Sequence, residues 1–173
     1  MKRKNKVWSA GVLMLLVLVS CRTPVQDLRE KEEDPVKEKL ISANQYMSER
    51  HQDQISAFVE RMGWSMEQTS TGLWFMLTKH GDGRPIGPGE TIEADYTVRL
   101  LDGTLCYTGG KEKPRTLTLG KGEVEAGLEE ALLLMHHGDQ ARIIIPPHLA
   151  HGNFGDRNKI PGASVIMYDI SVH

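Results

Sequence analysis

"LGKGEVEAGLEEALLLM", residues 119–135, is the stretch whose reading decides the fold. Glycines 120, 122 and 127 and Lys121 stand at the entry to a short apolar helix, in which Leu128, Ala131, Leu132 and Met135 form one stripe. A glycine-rich loop with a lysine first suggests a cradle for phosphate. The stretch lacks the Gly-Lys-Ser/Thr ending, however, and it presents Glu123 and Glu125 where an anion would need donors. Two carboxylates would repel the anion by more than the backbone amides attract it. The glycines therefore read as a tight turn from a strand onto a helix. Glu129 and Glu130 fall in the first helical turn, where the helix dipole favours negative charge.

Both flanks of this helix read as strands. Ile92, Ala94, Tyr96, Val98 and Leu100 alternate with Glu93, Asp95, Thr97 and Arg99, the period of a sheet with one buried face. Asp102-Gly103 follows as a turn dipeptide. Residues 73–78 read as a strand before it, and "KHGDGRPIGPGE" as a Gly- and Pro-rich connection. "TLCY", "RTLTL", "ARIIIP" and "SVIMYDISV" extend the series. Between the last two lies "PHLAHGNFGDRNKIPG", long enough in a compact domain to mark a functional or mobile loop. One helix with about five antiparallel strands predicts an α+β domain over 72–173, a strongly twisted sheet wrapped on the helix.

Upstream, apolar residues recur at Leu40, Ala43, Met47, Ile55, Phe58 and Met62, with polar "SERHQDQ" in the middle and Gly63 as the stop. An accessory helix is expected within 36–71, docked on the domain or on a second copy of itself. Residues 21–35 are polar and charged without apolar period, as in a flexible tether. At the start, "MKRKNK" precedes an apolar run from Val7 to Val19 broken only by Ser9, a run too short for an ordinary membrane-spanning helix. Leu18-Val19-Ser20-Cys21 resembles the bacterial lipobox. It implies a signal peptide over 1–20, acylation of Cys21 and a lipid-anchored place in the cell envelope, on the periplasmic face of the outer membrane.

The formal charge of −2 falls to about −6 without the four leader cations, so there is no basic footprint for nucleic acid. If Cys21 is lipidated, Cys106 has no partner in a chain with two cysteines, and it reads as a small buried hydrophobe. No metal site is expected: His136 and His137 are adjacent and point apart, and they suit the C-terminal end of a helix dipole. There is no Gly-x-Ser-x-Gly nucleophile motif either.

Three stretches, "ADYTVRLLDGTLCYTG", "LGKGEVEAGLEEALLLMHHGDQARIIIPPHLAHG" and "IPGASVIMYDISV", cover about a hundred residues in order and together resemble the FKBP-type peptidyl-prolyl isomerases. The lipobox and accessory helix are similar to those of lipid-anchored members in Bacteroidetes, some associated with gliding motility. The resemblance implies X-Pro isomerisation in exported polypeptides, no cofactor, and a pocket walled by Tyr96, Leu117, Val124, Leu128, Ile160 and Tyr168. Leu128 takes the floor position, where tryptophan is usual. Other departures are Cys106 for phenylalanine, Tyr107 for aspartate, Arg115 for an aromatic, Glu125 for an isoleucine whose amide binds the substrate, and His151 for a hydrogen-bonding tyrosine. A backbone donor survives at Glu125, and a histidine retains a donor. Fewer rings imply a weaker grip on proline, so weak turnover and poor macrolide binding are expected. The alternative is a non-catalytic chaperone or binding module of a cell-envelope or motility assembly, and the polar middle of the N-terminal helix leaves a pair of chains through that helix and a monomer equally open.

Overall fold

The computed structural model describes residues 35–110 and 114–173. The expected signal peptide, Cys21 and all but the last residue of the tether lie outside the described residues. A 28-residue helix, α1 (Pro35–Met62), opens with proline, whose missing N–H costs nothing in a first turn, and ends at Gly63, whose φ of 66° is the left-handed value of a helix stop. After it come β1 (Glu67–Gln68), β2 (Trp74–Lys79), β3 (Thr91–Leu100), β4 (Leu105–Gly109), β5 (Arg115–Thr118), the short helix α2 (Ala126–Leu132), β6 (Gln140–Ile145) and β7 (Ile166–Val172).

All strand pairs are antiparallel, in the order β1-β2-β6-β7-β3-β4, with β5 also on β3. The sheet has seven strands where about five were expected. The difference comes from short pieces: Glu67–Gln68, within the segment given to the accessory helix, pairs with Phe75 and Trp74, and the ten-residue β3 accepts β5 along its first half and β4 along its second.

The sheet is covered on both sides. On one, Ala94, Val98, Ile143, Ile145, Tyr168 and Ile170 pack with Leu128, Ala131, Leu132 and Met135 from α2 and its exit. On the other, Ile144 and Met167 pack against Ile55, Phe58 and Val59 of α1, with Trp64 and Trp74 at the edge. This explains why Ile143, Ile144 and Ile145 are consecutive and all fully buried, where a sheet wet on one side would alternate. Gly127 permits the close seat of α2 on β6, since a Cβ there would lie 2.4 Å from Ile145 Cγ2.

The apolar stripe expected on α1 is corrected by this docking. Only its C-terminal half touches the sheet, while Leu40, Met47 and Met62 are 59%, 40% and 46% exposed. The polar middle acts as a latch: Gln52 Nε2 donates to the Gly72 carbonyl (3.1 Å), and its Oε1 accepts from Gln68 Nε2 (2.6 Å) and Trp74 Nε1 (2.9 Å).

Candidate functional site

β3 points Tyr96 and Val98 to the α2 side of the sheet, and Tyr168 stands directly opposite Val98 on β7. The Tyr96 and Tyr168 rings lie 6.0 Å apart at 44°. Tyr107 of β4, Arg115 of β5, the turn Glu123-Val124-Glu125 and the β6–β7 loop complete a cavity of about 460 Å³, the loop contributing Ala150, His151 and Asp156.

The entry to α2 organises its chemistry. Glu125 is the N-cap residue, extended at φ −61° and ψ 143°, yet its side chain makes no capping bond. The carboxylate turns into the cavity instead. Its Oε2 accepts from the Tyr168 hydroxyl at 3.0 Å, and its Oε1 lies 2.9 Å from His151 Nε2. Burial, then the Glu125 charge, push the Tyr168 phenol far above its usual range, so it stays protonated and donates. The backbone N–H of Glu125 has no acceptor among the described residues and remains available to a guest.

Across the cavity, the Tyr107 hydroxyl donates to Asp156 Oδ2, while Asp156 Oδ1 accepts from the amides of Ile160 (2.8 Å) and Asn158 (2.9 Å). Burial works to raise the Asp156 carboxyl, but these hydrogen bonds, Tyr107's first, outweigh it and hold the group at about 2. The same bond, with burial behind it, raises the Tyr107 phenol. This clasp closes the loop that carries His151 against β4.

Of the residues that the resemblance pointed to, Tyr96, Tyr107, Val124, Glu125, His151 and Tyr168 are brought to one cavity, as is Arg115. Cys106, Leu117, Leu128 and Ile160 are buried in the core beneath and do not line it. Burial raises the Cys106 thiol, and its Sγ approaches the carbonyls of Thr104 and Lys159, both at 3.8 Å. Sequence reasoning missed Val98, Glu123, Ala150 and Asp156. Asp156 carried a usable signal, because an aspartate in a glycine-rich loop is the residue that bonds its own backbone two residues on. Among the described residues no group of three or more His, Cys, Asp or Glu side chains is placed to hold a metal ion.

The cavity thus offers aromatic faces, an open amide and a fixed carboxylate, a set suited to binding a peptide. The family model for FKBP-type peptidyl-prolyl cis-trans isomerases matches residues 83–173, more than half of the chain. The chain belongs to that family. Its isomerase domain is 38% identical over 85 residues to mouse peptidyl-prolyl cis-trans isomerase FKBP10, a match covering 49% of this chain and 14% of that protein. It is 36% identical over 84 residues to bovine FKBP11, covering 49% of this chain and 41% of the relative. Among solved structures, the crystal structure of AtFKBP13 superimposes with a TM-score of 0.58 at 30% identity, over 62% of this chain and 96% of that one. The chain therefore spans less than half the length of these curated relatives, while the match to AtFKBP13 takes in nearly the whole of that solved chain. The α1 helix lies before the matched family segment.

Proposed function

We propose that this FKBP-family chain is a slow peptidyl-prolyl cis-trans isomerase, held at the cell envelope by a lipid on Cys21 and acting on exported polypeptides. The observation that carries the reading is the cavity of Tyr96, Tyr107 and Tyr168 beside the unpaired Glu125 amide. Rotation of an X-Pro bond passes through a twisted amide that has lost resonance, over a barrier of ~18–20 kcal/mol for peptide bonds generally. The twisted amide is less polarised than the planar one, so apolar walls favour it over the ground state. The Tyr96 and Tyr168 rings and Val98 provide those walls, and the Glu125 N–H provides a hydrogen bond that holds the peptide carbonyl.

Two features argue for slow turnover. The Glu125 carboxylate sits among the walls where a proline ring wants hydrocarbon, and it occupies the Tyr168 hydroxyl and His151 Nε2, which would otherwise be open to the substrate. The lipid anchor and the kinship with Bacteroidetes lipoproteins rest on the leader and lipobox. A proline-peptide isomerisation assay tests the activity: measurable acceleration well below that of ordinary family members is expected. Family-typical turnover would refute the weakness, and none would refute the enzyme. Radiolabelled palmitate incorporated by the chain and lost in Cys21→Ser tests the anchor.

One observation favours a second reading, that the chain also holds clients or pairs with a copy of itself. The N-terminal half of α1 exposes Leu40, Ile41, Tyr46 and Met47 along a helix that packs on the sheet through its C-terminal half. Sedimentation of Leu40→Glu/Met47→Glu against the parent chain decides between them. A dimer that becomes monomer supports pairing, and a parent that is already monomeric rejects it.

A further inference from the structure

The cavity is far more charged than a proline site requires. Its walls hold Glu123, Glu125 and Asp156 against Arg115, with His151 adding positive charge only when protonated. Glu125 is largely buried, with its side chain 14% exposed. Its two partners are a phenol, which brings no charge, and His151. Asp156 is held ionised, because Tyr107 and two backbone amides bond to its carboxylate. The cavity already draws in the chain's own cations: Arg115 sits 5.8 Å from the centre of the Tyr96 ring, and the Lys159 ammonium 5.2 Å from that of Tyr107. Arg115 and Lys159 are both exposed, Arg115 held by a long bond from Nη2 to the Glu123 carbonyl (3.4 Å), whereas Glu125 is part-buried and bonded at both carboxylate oxygens. The most firmly held ionisable side chain facing the Tyr168 side of the cavity is therefore a carboxylate.

We propose that Glu125 is a specificity-determining residue, and that this site selects X-Pro segments in which X is lysine or arginine. The inference rests on the isomerase reading for the place where the peptide binds. A cation on the residue before proline meets the Glu125 carboxylate and the tyrosine faces together, displacing Arg115 or Lys159 toward solvent. A carboxylate at the same position meets like charge in a partly desolvated cavity and is rejected.

The test uses the full chain and three short peptides identical except for lysine, leucine or glutamate before the proline. Isomerisation is followed by exchange NMR, which needs no coupled protease, and binding by chemical-shift titration of the same samples. Lys-Pro is expected to exceed Leu-Pro in kcat/KM by about fivefold, with Glu-Pro lower again by a similar factor, as for a partly screened charge pair. Glu125→Gln should bring the three peptides to within about twofold of one another. Should that variant fail to fold, raising salt from about 0.02 M to about 0.5 M must shrink the Lys-to-Leu ratio of the parent chain. Equal kcat/KM and equal Kd for the three peptides would overturn the proposal while leaving the isomerase intact. If no peptide is turned over, the isomerase reading fails, and the order of the three Kd values still decides the charge selection.

Discussion

Removing the Asp156 carboxylate should loosen the loop that brings His151 to the cavity, and by an amount the structure bounds. In Asp156→Asn one amide oxygen can still accept from Ile160 or Asn158, but the charge that Tyr107 and both backbone amides address is lost. The carboxyl is held at about 2 against an ordinary 3.8. Taken in full, that shift corresponds to roughly 2.5 kcal/mol. The group is only partly buried and solvent screens it, so about 1 kcal/mol is the figure to expect. A depressed carboxyl stabilises the fold above its ordinary value and stops doing so as pH falls through the depressed one. The Asp156 contribution is therefore complete at neutral pH and disappears between about pH 4 and pH 2. Hydrogen exchange of the Ile160 and Asn158 amides reads this locally. In the variant at neutral pH both should exchange about fivefold faster, the rate equivalent of about 1 kcal/mol, and the difference from the parent should vanish near pH 2. Unchanged exchange at neutral pH, or a difference that persists at pH 2, would refute the reasoning.

Three further outcomes follow from the packing. Asp139, 1% exposed, accepts from the Gly81 amide (2.6 Å) and the His136 amide (2.7 Å), so Asp139→Ala should cost about 2–4 kcal/mol in urea unfolding by stranding both donors. Gly127→Ala should cost about 1–3 kcal/mol in the same assay, because its methyl would press on Ile145 and on Leu149, the latter 3.1 Å away. His137 bonds the His173 carbonyl (2.8 Å) and Glu90 (2.7 Å), and these, the carbonyl first, raise it above 6.5. Its contribution is present below the ordinary value and lost as pH rises through the raised one, so an NMR titration should find its midpoint above 6.5.

Much of the architecture was legible because it rests on local period. The alternation from Ile92 to Leu100, the Leu128–Met135 stripe and the glycines around them require one buried sheet face, one helix face and a tight turn. The stripe on α1 misled because period alone says which residues share a face and not how much of that face finds a partner. Ile55 and Phe58 met Ile144 and Met167, and Leu40 and Met47 met nothing in the domain. The two-residue β1 was illegible for a related reason: it forms only because β2 and Gln52 supply its partners.

For the site, residue types and order pointed to Tyr96, Tyr107, Glu125, His151 and Tyr168, which fall at family positions along strands, one turn and the β6–β7 loop and which the structure brings to one cavity. Sequence could not say that Glu125 would turn its carboxylate away from the helix cap and spend it on Tyr168, 43 residues later, and on His151. Nor could it separate Leu117, Leu128 and Ile160, buried in the core, from Val98 and Ala150 on the cavity wall. Period and turn chemistry act over a few bonds and can be read along the chain. Which charge faces which donor depends on strand order and loop closure, distances that exist only once the sheet has assembled.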